Sequence, residues 1–424
     1  MEKIRVGIVG TGYTVGIAGN HAKGYLQNPG CVLTAVCDIV PGRAAQWAKE
    51  KNLEVEICSD YDELLEKVDA VSICTPNYAH GELAVRAMEK GKHLLCEKPL
   101  SIDSESSVRA VSIARCCSTV AMIGFSYRGI PAVRYMRQVL QSGKMGKIFT
   151  YRETLGGCRI ANPGVKLEWR MQKQLSGTGA LADFGCHMLD LCDWMFDGSQ
   201  GAVSEVNGFV SCSIPERDEI FDPGQGQVSN DDSAAFNLRF EGGTLASFVA
   251  SRLGVARHTI EIYGEGGMML FRDDRPAEVE VWFKEKDGGY AGKPEVISVD
   301  ADLVTDPWFL PKSMILSIVF RPGNGQTAIL TGHSIFRICW IRFYWPVKPV
   351  KLFIYKEERD YENEPFNKQP DRCRDQGFED HCRLGLGKRN LRVRCGAGDS
   401  SRQGTVRRGS GGRKGIGRDH DLLP

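Results

Sequence analysis

Over the first 125 residues, short apolar runs alternate with amphipathic ones. KIRVGIVG, CVLTAVCD, DAVSICTP, KHLLCEKP and STVAMIGF are apolar, β-branched stretches of strand length, most of them closed by glycine, aspartate or proline. Between them PGRAAQWAKEKN, with Pro41 at a first turn, NYAHGELAVRAMEKGK and SIDSESSVRAVSIARCC repeat apolar positions at helical spacing. Strands that are apolar on both faces and separated by helices predict a doubly wound parallel sheet, an α/β domain over residues 1–124. From Lys147 the period drops to two, in KIFTYRET, AAFNLRF, TLASFVAS, TIEIYG and VEVWF. Such alternation predicts a large, mostly antiparallel sheet in an α+β second domain over residues 125–320.

Composition then separates a third region. Residues 1–320 carry 33 Lys+Arg against 41 Asp+Glu, whereas residues 321–424 carry 21 against 12, so a formal charge of +1 hides two unlike parts. The tail, with RICWIRFYWPVKPVKLFIY and RRGSGGRKGIGRDH, has neither helical periodicity nor a core face. The abrupt change predicts a frameshifted, disordered reading, and an intact frame on resequencing the coding DNA would overturn it. Its Arg/Gly-rich end lacks interleaved aromatics past Phe378, which argues against a nucleic-acid partner, and Cys373, Cys382, Cys395 and His381 fit no compact zinc spacing. The opening MEKIRVGIVG enters a strand directly, which predicts no export signal, and no apolar run approaches the roughly 20 residues of a membrane span. Fifteen cysteines without a secreted scaffold's spacing read as reduced thiols, and the expectation is a cytoplasmic protein.

The first loop carries candidate chemistry. Gly10, Gly12 and Gly16 in GTGYTVG, with Tyr13 and Thr14 between them, lie where a strand meets a helix and a bare backbone lets a pyrophosphate approach the helix N-terminus. The spacing is one residue longer than G-x-G-x-x-G. Asp38 closes the second strand 22 residues after Gly16, suiting a carboxylate that accepts from an adenosine ribose and favours NAD over NADP. Arg43 nearby blurs that preference. LLCEKPL then places Lys98 at the end of a parallel strand, pointing into the crevice where such sheets bind ligands, and partial burial there is expected to lower its pKa from about 10.4 towards a catalytic range.

CTPNYAHGELAVRAMEKGKHLLCEKPLS, from Cys74 to Ser101, closely resembles the signature of the glucose-fructose oxidoreductase, inositol dehydrogenase and rhizopine-catabolism (Gfo/Idh/MocA) family. Further matches are GFSYRGIPAVRYMRQVLQSGKMGKI from Gly124, EWR at Glu168–Arg170, GTGALADFGCHMLDLCDWM from Gly177, DDSAAFNLRFEGGTLASF from Asp231 and IEIYGEGGMMLF from Ile260. The resemblance spans residues 3–290 and stops near Phe320, where the family's closing proline and acidic-Gly motif and terminal helix are not found. It implies that Lys98, Asp183 and His187 face the nicotinamide, that Pro99 follows a cis peptide bond, and that the open face of the second sheet carries a homodimer or homotetramer.

Asp183, His187 and Asp190 are spaced by four and three, so on a helix they share one face, leaving Met188, Leu191, Trp194 and Met195 for the buried side. A histidine flanked by carboxylates is held in one tautomer and becomes a better proton acceptor. The expected assignment makes His187 the base, oriented by Asp183, with Lys98 on the alcohol oxygen; the roles of Lys98 and His187 are exchangeable at this level. Glu97 orients the lysine or the cofactor. By resemblance Thr75, Pro76, Asn77 and His80 border the cofactor, with Asn77 alternatively capping the next helix; Trp169 and Arg170 lie near the nicotinamide; Tyr127 and Arg128 line the substrate pocket. No metal site is required. The implied activity is hydride transfer between nicotinamide and a secondary alcohol of a sugar, anhydrosugar or inositol. An NAD-using glycosidase and a non-catalytic NAD(P)-binding regulator are the alternatives, against which an intact EKP and the retained Lys98, Asp183 and His187 argue.

Overall fold

A computed structural model describes residues 2–12, 16–220, 223–290 and 292–299. The candidate residues Tyr13 and Thr14 and the 321–424 tail lie outside them.

The first half runs β1 (Ile4–Val9), α1 (Ile17–Leu26), β2 (Cys31–Cys37), α2 (Arg43–Glu50), β3 (Glu56–Ile57), α3 (Tyr61–Lys67), β4 (Ala70–Ile73), α4 (Asn77–Glu89), β5 (His93–Cys96), α5 (Ser104–Cys116) and β6 (Ala121–Ile123). Its six strands are parallel in the order β3-β2-β1-β4-β5-β6. The order reverses between β1 and β4, and the carboxyl ends of strands at such a reversal are where sheets of this kind bind ligands. Every residue of β4 is buried. One face packs Leu64, Ile73, Val85 and Met88, and the other packs Val6, Ile8, Tyr25 and Trp47, so the predicted two-faced covering is present. The sequence pattern passed over β3 and α3. β3 is two exposed residues, Glu56 and Ile57, too short a run to read as a strand, while α3 has a cap, the Asp60 carboxylate accepting from the Glu63 N–H at 2.9 Å, ahead of the buried Tyr61, Leu64 and Leu65.

The second half adds α6 (Pro131–Gln141), β7 (Ile148–Gly156), the single turn α7 (Lys173–Ser176), α8 (Cys186–Phe196), β8 (Val203–Ser211), the hairpin β9 (Glu216–Asp218) and β10 (Gln225–Gln227), β11 (Ser233–Phe240), β12 (Leu245–Ser251), β13 (Arg257–Gly264), β14 (Gly267–Arg272), β15 (Glu278–Phe283) and β16 (Glu295–Ser298). Eight of these strands form one sheet, β16-β15-β14-β13-β7-β12-β11-β8, antiparallel throughout except for the parallel pair β7 and β12. Strand alternation turns Tyr151, Phe236, Phe248 and Phe271 inward against α6 and α8, with Phe236 and Phe248 stacked at 4.7 Å. On the opposite face Phe149, Phe209, Leu245 and Val249 stand exposed.

α8 departs from the expected single stripe. It is entered through a π-helical turn, Leu181–Gly185, which breaks the regular spacing between Asp183 and His187. Asp190 is itself buried, together with Met188, Leu191 and Met195, so the three polar residues do not share one open face.

Candidate active site

The end of β1 and the end of β4 approach so closely that a side chain at Gly10 (φ 85°) would place its Cβ 2.7 Å from the Thr75 backbone nitrogen. Gly12 and Gly16 also have positive φ, 43° and 70°, but an added Cβ would meet nothing within 4 Å. α1 therefore starts from a glycine with no side-chain cap. A glycine turn at a strand end followed by an uncapped helix start is the arrangement a dinucleotide phosphate needs, and Gly10, Gly12 and Gly16 fit it. Asp38 lies at the end of β2 with its carboxylate largely covered: it accepts from Thr11 N at 2.9 Å, Thr11 Oγ1 at 2.8 Å and Val40 N at 2.9 Å, with Arg43 Nη1 at 3.5 Å. It shapes the glycine loop, and Arg43 shares its charge.

Lys98 follows β5, and its peptide to Pro99 is cis, as the resemblance implied. Its Nζ donates to Asp183 Oδ1 at 2.8 Å and to the Asp183 carbonyl at 2.9 Å. Burial works against the ammonium, but Asp183, with Cys186 and Glu97 adding to it, outweighs that effect and holds the Lys98 pKa above the ordinary lysine value. The expected downward shift is therefore corrected: desolvation is present, and a paired carboxylate reverses its outcome. For Asp183 burial likewise opposes the charge, and Lys98 and then Arg170 hold its carboxyl well below the usual range.

His187 is buried, and its Nδ1 has no hydrogen-bond partner among the described residues. The Asp183 carboxylate is turned to Lys98, so the expected orienting contact to His187 is replaced by ring packing. Tyr127 lies 4.5 Å from the imidazole and Phe125 5.8 Å, edge-on. Burial first, and the Lys98 charge second, push the His187 pKa well below its ordinary value, leaving a neutral ring beside a fixed cation. Behind Tyr127, His258 lies 5.1 Å away and meets Glu153 at 2.7 Å.

The remaining candidates divide. Arg128 directs Nε to Asp190 Oδ2 at 2.7 Å and Nη2 to Oδ1, so its fork is occupied by an ion pair, while burial still pushes the Asp190 carboxyl up to about 6. Trp169 carries Arg170 over its ring at 4.2 Å, and Arg170 also approaches Glu168 at 3.8 Å. Asn77 begins α4 but caps nothing: its Nδ2 donates to the Ser176 carbonyl in the second half at 3.0 Å. Thr75 keeps a buried Oγ1 without a partner among the described residues, and Pro76 precedes the helix beside it. His80 bridges the Pro99 and Thr75 carbonyls at 2.7 and 2.8 Å, tying the β4 loop to the Lys98 turn from behind. Glu97 neither reaches the Lys98 ammonium nor faces outward. Its Oε1 meets His21 Nε2 at 3.0 Å, and His21 Nδ1 meets Ser72 at 2.9 Å. Gly124 makes room for this carboxylate, since a Cβ there would lie 2.9 Å from Oε1. His21 was absent from the sequence reading, although its place on the buried stripe Ala18, Ala22, Tyr25 of α1 marks it as a polar residue requiring a partner. No group of three or more His, Cys, Asp or Glu is placed to hold a metal ion among the described residues.

Residues 4–125 match the sequence model of the oxidoreductase family with an NAD-binding Rossmann fold, and residues 133–270 match that of the GFO/IDH/MocA C-terminal domain. Levoglucosan dehydrogenase from Pseudarthrobacter phenanthrenivorans is 30% identical over 363 residues, 80% of this chain and 89% of that protein. Inositol 2-dehydrogenase from Rhizobium meliloti is 26% identical over 66% of this chain and 78% of its own length. Among solved structures, a levoglucosan dehydrogenase in complex with NADH and L-sorbose superposes with a TM-score of 0.65 at 28% identity, covering 80% of this chain and 90% of that one.

Proposed function

The chain belongs to the Gfo/Idh/MocA oxidoreductase family, and from that premise we propose that it oxidises a secondary alcohol of an anhydrosugar, sugar or inositol-type polyol with NAD. The Lys98–Asp183 contact, set beside a neutral, buried His187, is the observation that carries the reading. NAD supplies the hydride acceptor when bound. Gly10, Gly12, Gly16, Asp38, Arg43, Thr75, Pro76, Asn77, His80, Glu97, Trp169 and Arg170 frame its place, and Lys98, Tyr127, Asp183 and His187 frame that of the alcohol, with Arg128 held one layer back.

The surroundings of the two residues support one assignment of the roles that the sequence leaves exchangeable. Lys98, fixed as an ammonium by Asp183, donates to the alcohol oxygen and favours its negative charge as the proton leaves. His187, kept neutral by burial, takes that proton on its imidazole. Tyr127 and Phe125 exclude water from the ring. The similarity to levoglucosan dehydrogenase over most of both chains supports an anhydrosugar as the first substrate to test. The test is NADH formation by the purified full-length protein, with NAD and NADP each offered levoglucosan, D-glucose and myo-inositol. Turnover with NAD on levoglucosan is expected; release of a glycosidic leaving group without net NADH, or tight NAD binding with no turnover on any polyol, would sink the dehydrogenase reading.

The face of the eight-stranded sheet turned away from α6 and α8 supports a homodimer or homotetramer, because exposed Phe149, Phe209, Leu245 and Val249 lie together on a broad, regular surface. Light scattering on the purified protein is expected to give twice or four times the chain mass, and Phe209→Asp to lower it; a monomer would exclude this assembly. Among the described residues no helix is long and apolar enough to cross a membrane. The eleven cysteines among them are free thiols, which supports a reducing, cytoplasmic setting.

A further inference from the structure

The segment Asn230–Asp232 and Arg252, at the end of β12, form a buried polar junction. All four residues are buried, with Arg252 only 4% exposed. The Arg252 guanidinium donates Nη1 to the Arg170 carbonyl at 2.9 Å, and Nη2 to Asn230 Oδ1 at 2.9 Å and to the Asp231 carbonyl at 2.6 Å. Asn230 Nδ2 reaches the same Arg170 carbonyl and Ser176 Oγ, both at 2.7 Å. Ser176 in turn offers its carbonyl to Asn77. The Asp231 carboxylate accepts from Gly179 N at 2.7 Å and Leu181 N at 2.9 Å, and its carbonyl accepts from Ala180 N at 3.0 Å.

Those three N–H groups open the π-helical turn that carries Asp183. The fit admits no side chain: a Cβ on Gly179 would lie 1.6 Å from the Asp231 carbonyl oxygen and 2.5 Å from Arg252 Nη2. We propose that Arg252, acting through Asn230 and Asp231, is the positioning residue that sets Asp183 at the angle the alcohol site requires. The assignment rests on the dehydrogenase reading for its kinetic consequence, but not for its geometry. Arg252 makes no hydrogen bond to the proposed reacting groups; its charge acts on Asp183 through space, and its fork fixes the backbone from which Asp183 projects. A π turn is looser than an α turn and its first amides have no partner within the helix, so an external clamp is what gives the Asp183 oxygen a definite place beside Lys98. The two-pronged geometry at Arg170 and Asp231 also needs a planar fork, which a lysine does not have.

The test has two arms on the full-length protein, using Arg252→Gln, Arg252→Lys and Asp231→Asn. The first is amide hydrogen exchange without ligand. Exchange at Gly179, Ala180 and Leu181 is expected to quicken by about tenfold in Arg252→Gln and Asp231→Asn, with the parallel-sheet strands unchanged. The second is steady-state turnover on the panel alcohol that the parent oxidises. There kcat is expected to fall by about tenfold or more, with NADH affinity, read by fluorescence, within about twofold of the parent, and Arg252→Lys to recover only part of the loss. Unchanged exchange at 179–181 in the folded variants, or kcat within twofold of the parent in both, overturns the assignment. Exchange that quickens over the whole chain means a general packing role and overturns it equally. A parent without turnover removes the dehydrogenase reading alone, because the exchange arm still decides whether Arg252 holds the turn; Asp231→Asn keeps the question open to refutation if Arg252→Gln does not fold.

Discussion

Lys98→Ala is expected to lower kcat by about a thousandfold while NAD affinity stays within a few-fold of the parent, since the role proposed for the residue is that of a donor to the reacting oxygen. The geometry sets the size of the effect. The Nζ is held by two Asp183 oxygens at 2.8 and 2.9 Å, so the ammonium is oriented before substrate arrives. Stopped-flow hydride transfer and equilibrium NADH fluorescence separate chemistry from binding. Equal losses in both would mean that Lys98 holds the dinucleotide and that the site is misassigned. Asp183→Asn is the companion variant. With its carboxylate gone, burial is opposed only by Cys186 and Glu97, and the Lys98 pKa should fall, so activity that is flat in alkali in the parent should bend downwards there in the variant.

His187→Asn should lower kcat by about a hundredfold to ten-thousandfold, the range for a general base, and should remove the acid limb of the pH profile. The sign follows from the surroundings. Burial and the Lys98 cation both disfavour the imidazolium, so the parent keeps a neutral acceptor at neutral pH and loses activity only in acid, below the ordinary histidine value of about 6.5. In Lys98→Ala that repulsion is absent. The His187 pKa should rise and the acid limb of the residual activity should move to higher pH. A limb that stays fixed in Lys98→Ala, or survives in His187→Asn, would give the titration to another group.

How far these residues could be read from the sequence depends on what each contact required. The parallel sheet was legible because strands buried on both faces write unbroken apolar runs, as in AVSI and LLC of β4 and β5. The glycine loop and Lys98 were legible because both sit at strand ends, where position along the chain fixes position in the crevice. β3 was not, being two exposed residues that owe their state to pairing with β2. The π turn was invisible because nothing local encodes it: its amides are capped by Asp231, fifty residues away in sequence from Leu181. For the same reason the sequence suggested that Asp183 would orient His187. Their spacing fits an α-helix, and the competing partner, Lys98, is 85 residues distant. Arg128 illustrates the general difficulty. A cation in a family motif reads as a ligand for substrate, whereas the fold brings it to a buried carboxylate that a stripe analysis had left open to solvent.

The bonds from Asn77 to Ser176 and from Lys98 to Asp183 leave neighbouring parallel strands and land on the same wall of the second half. A hydrogen bond is lost beyond about 3.5 Å, so the two halves cannot part along that line and still keep both contacts. Parting the halves along that line breaks both bonds at once, and one of the groups released would be the ammonium of Lys98. The residue proposed to meet the alcohol oxygen is therefore also a clasp between the halves, so its replacement removes a cross-strut together with a donor.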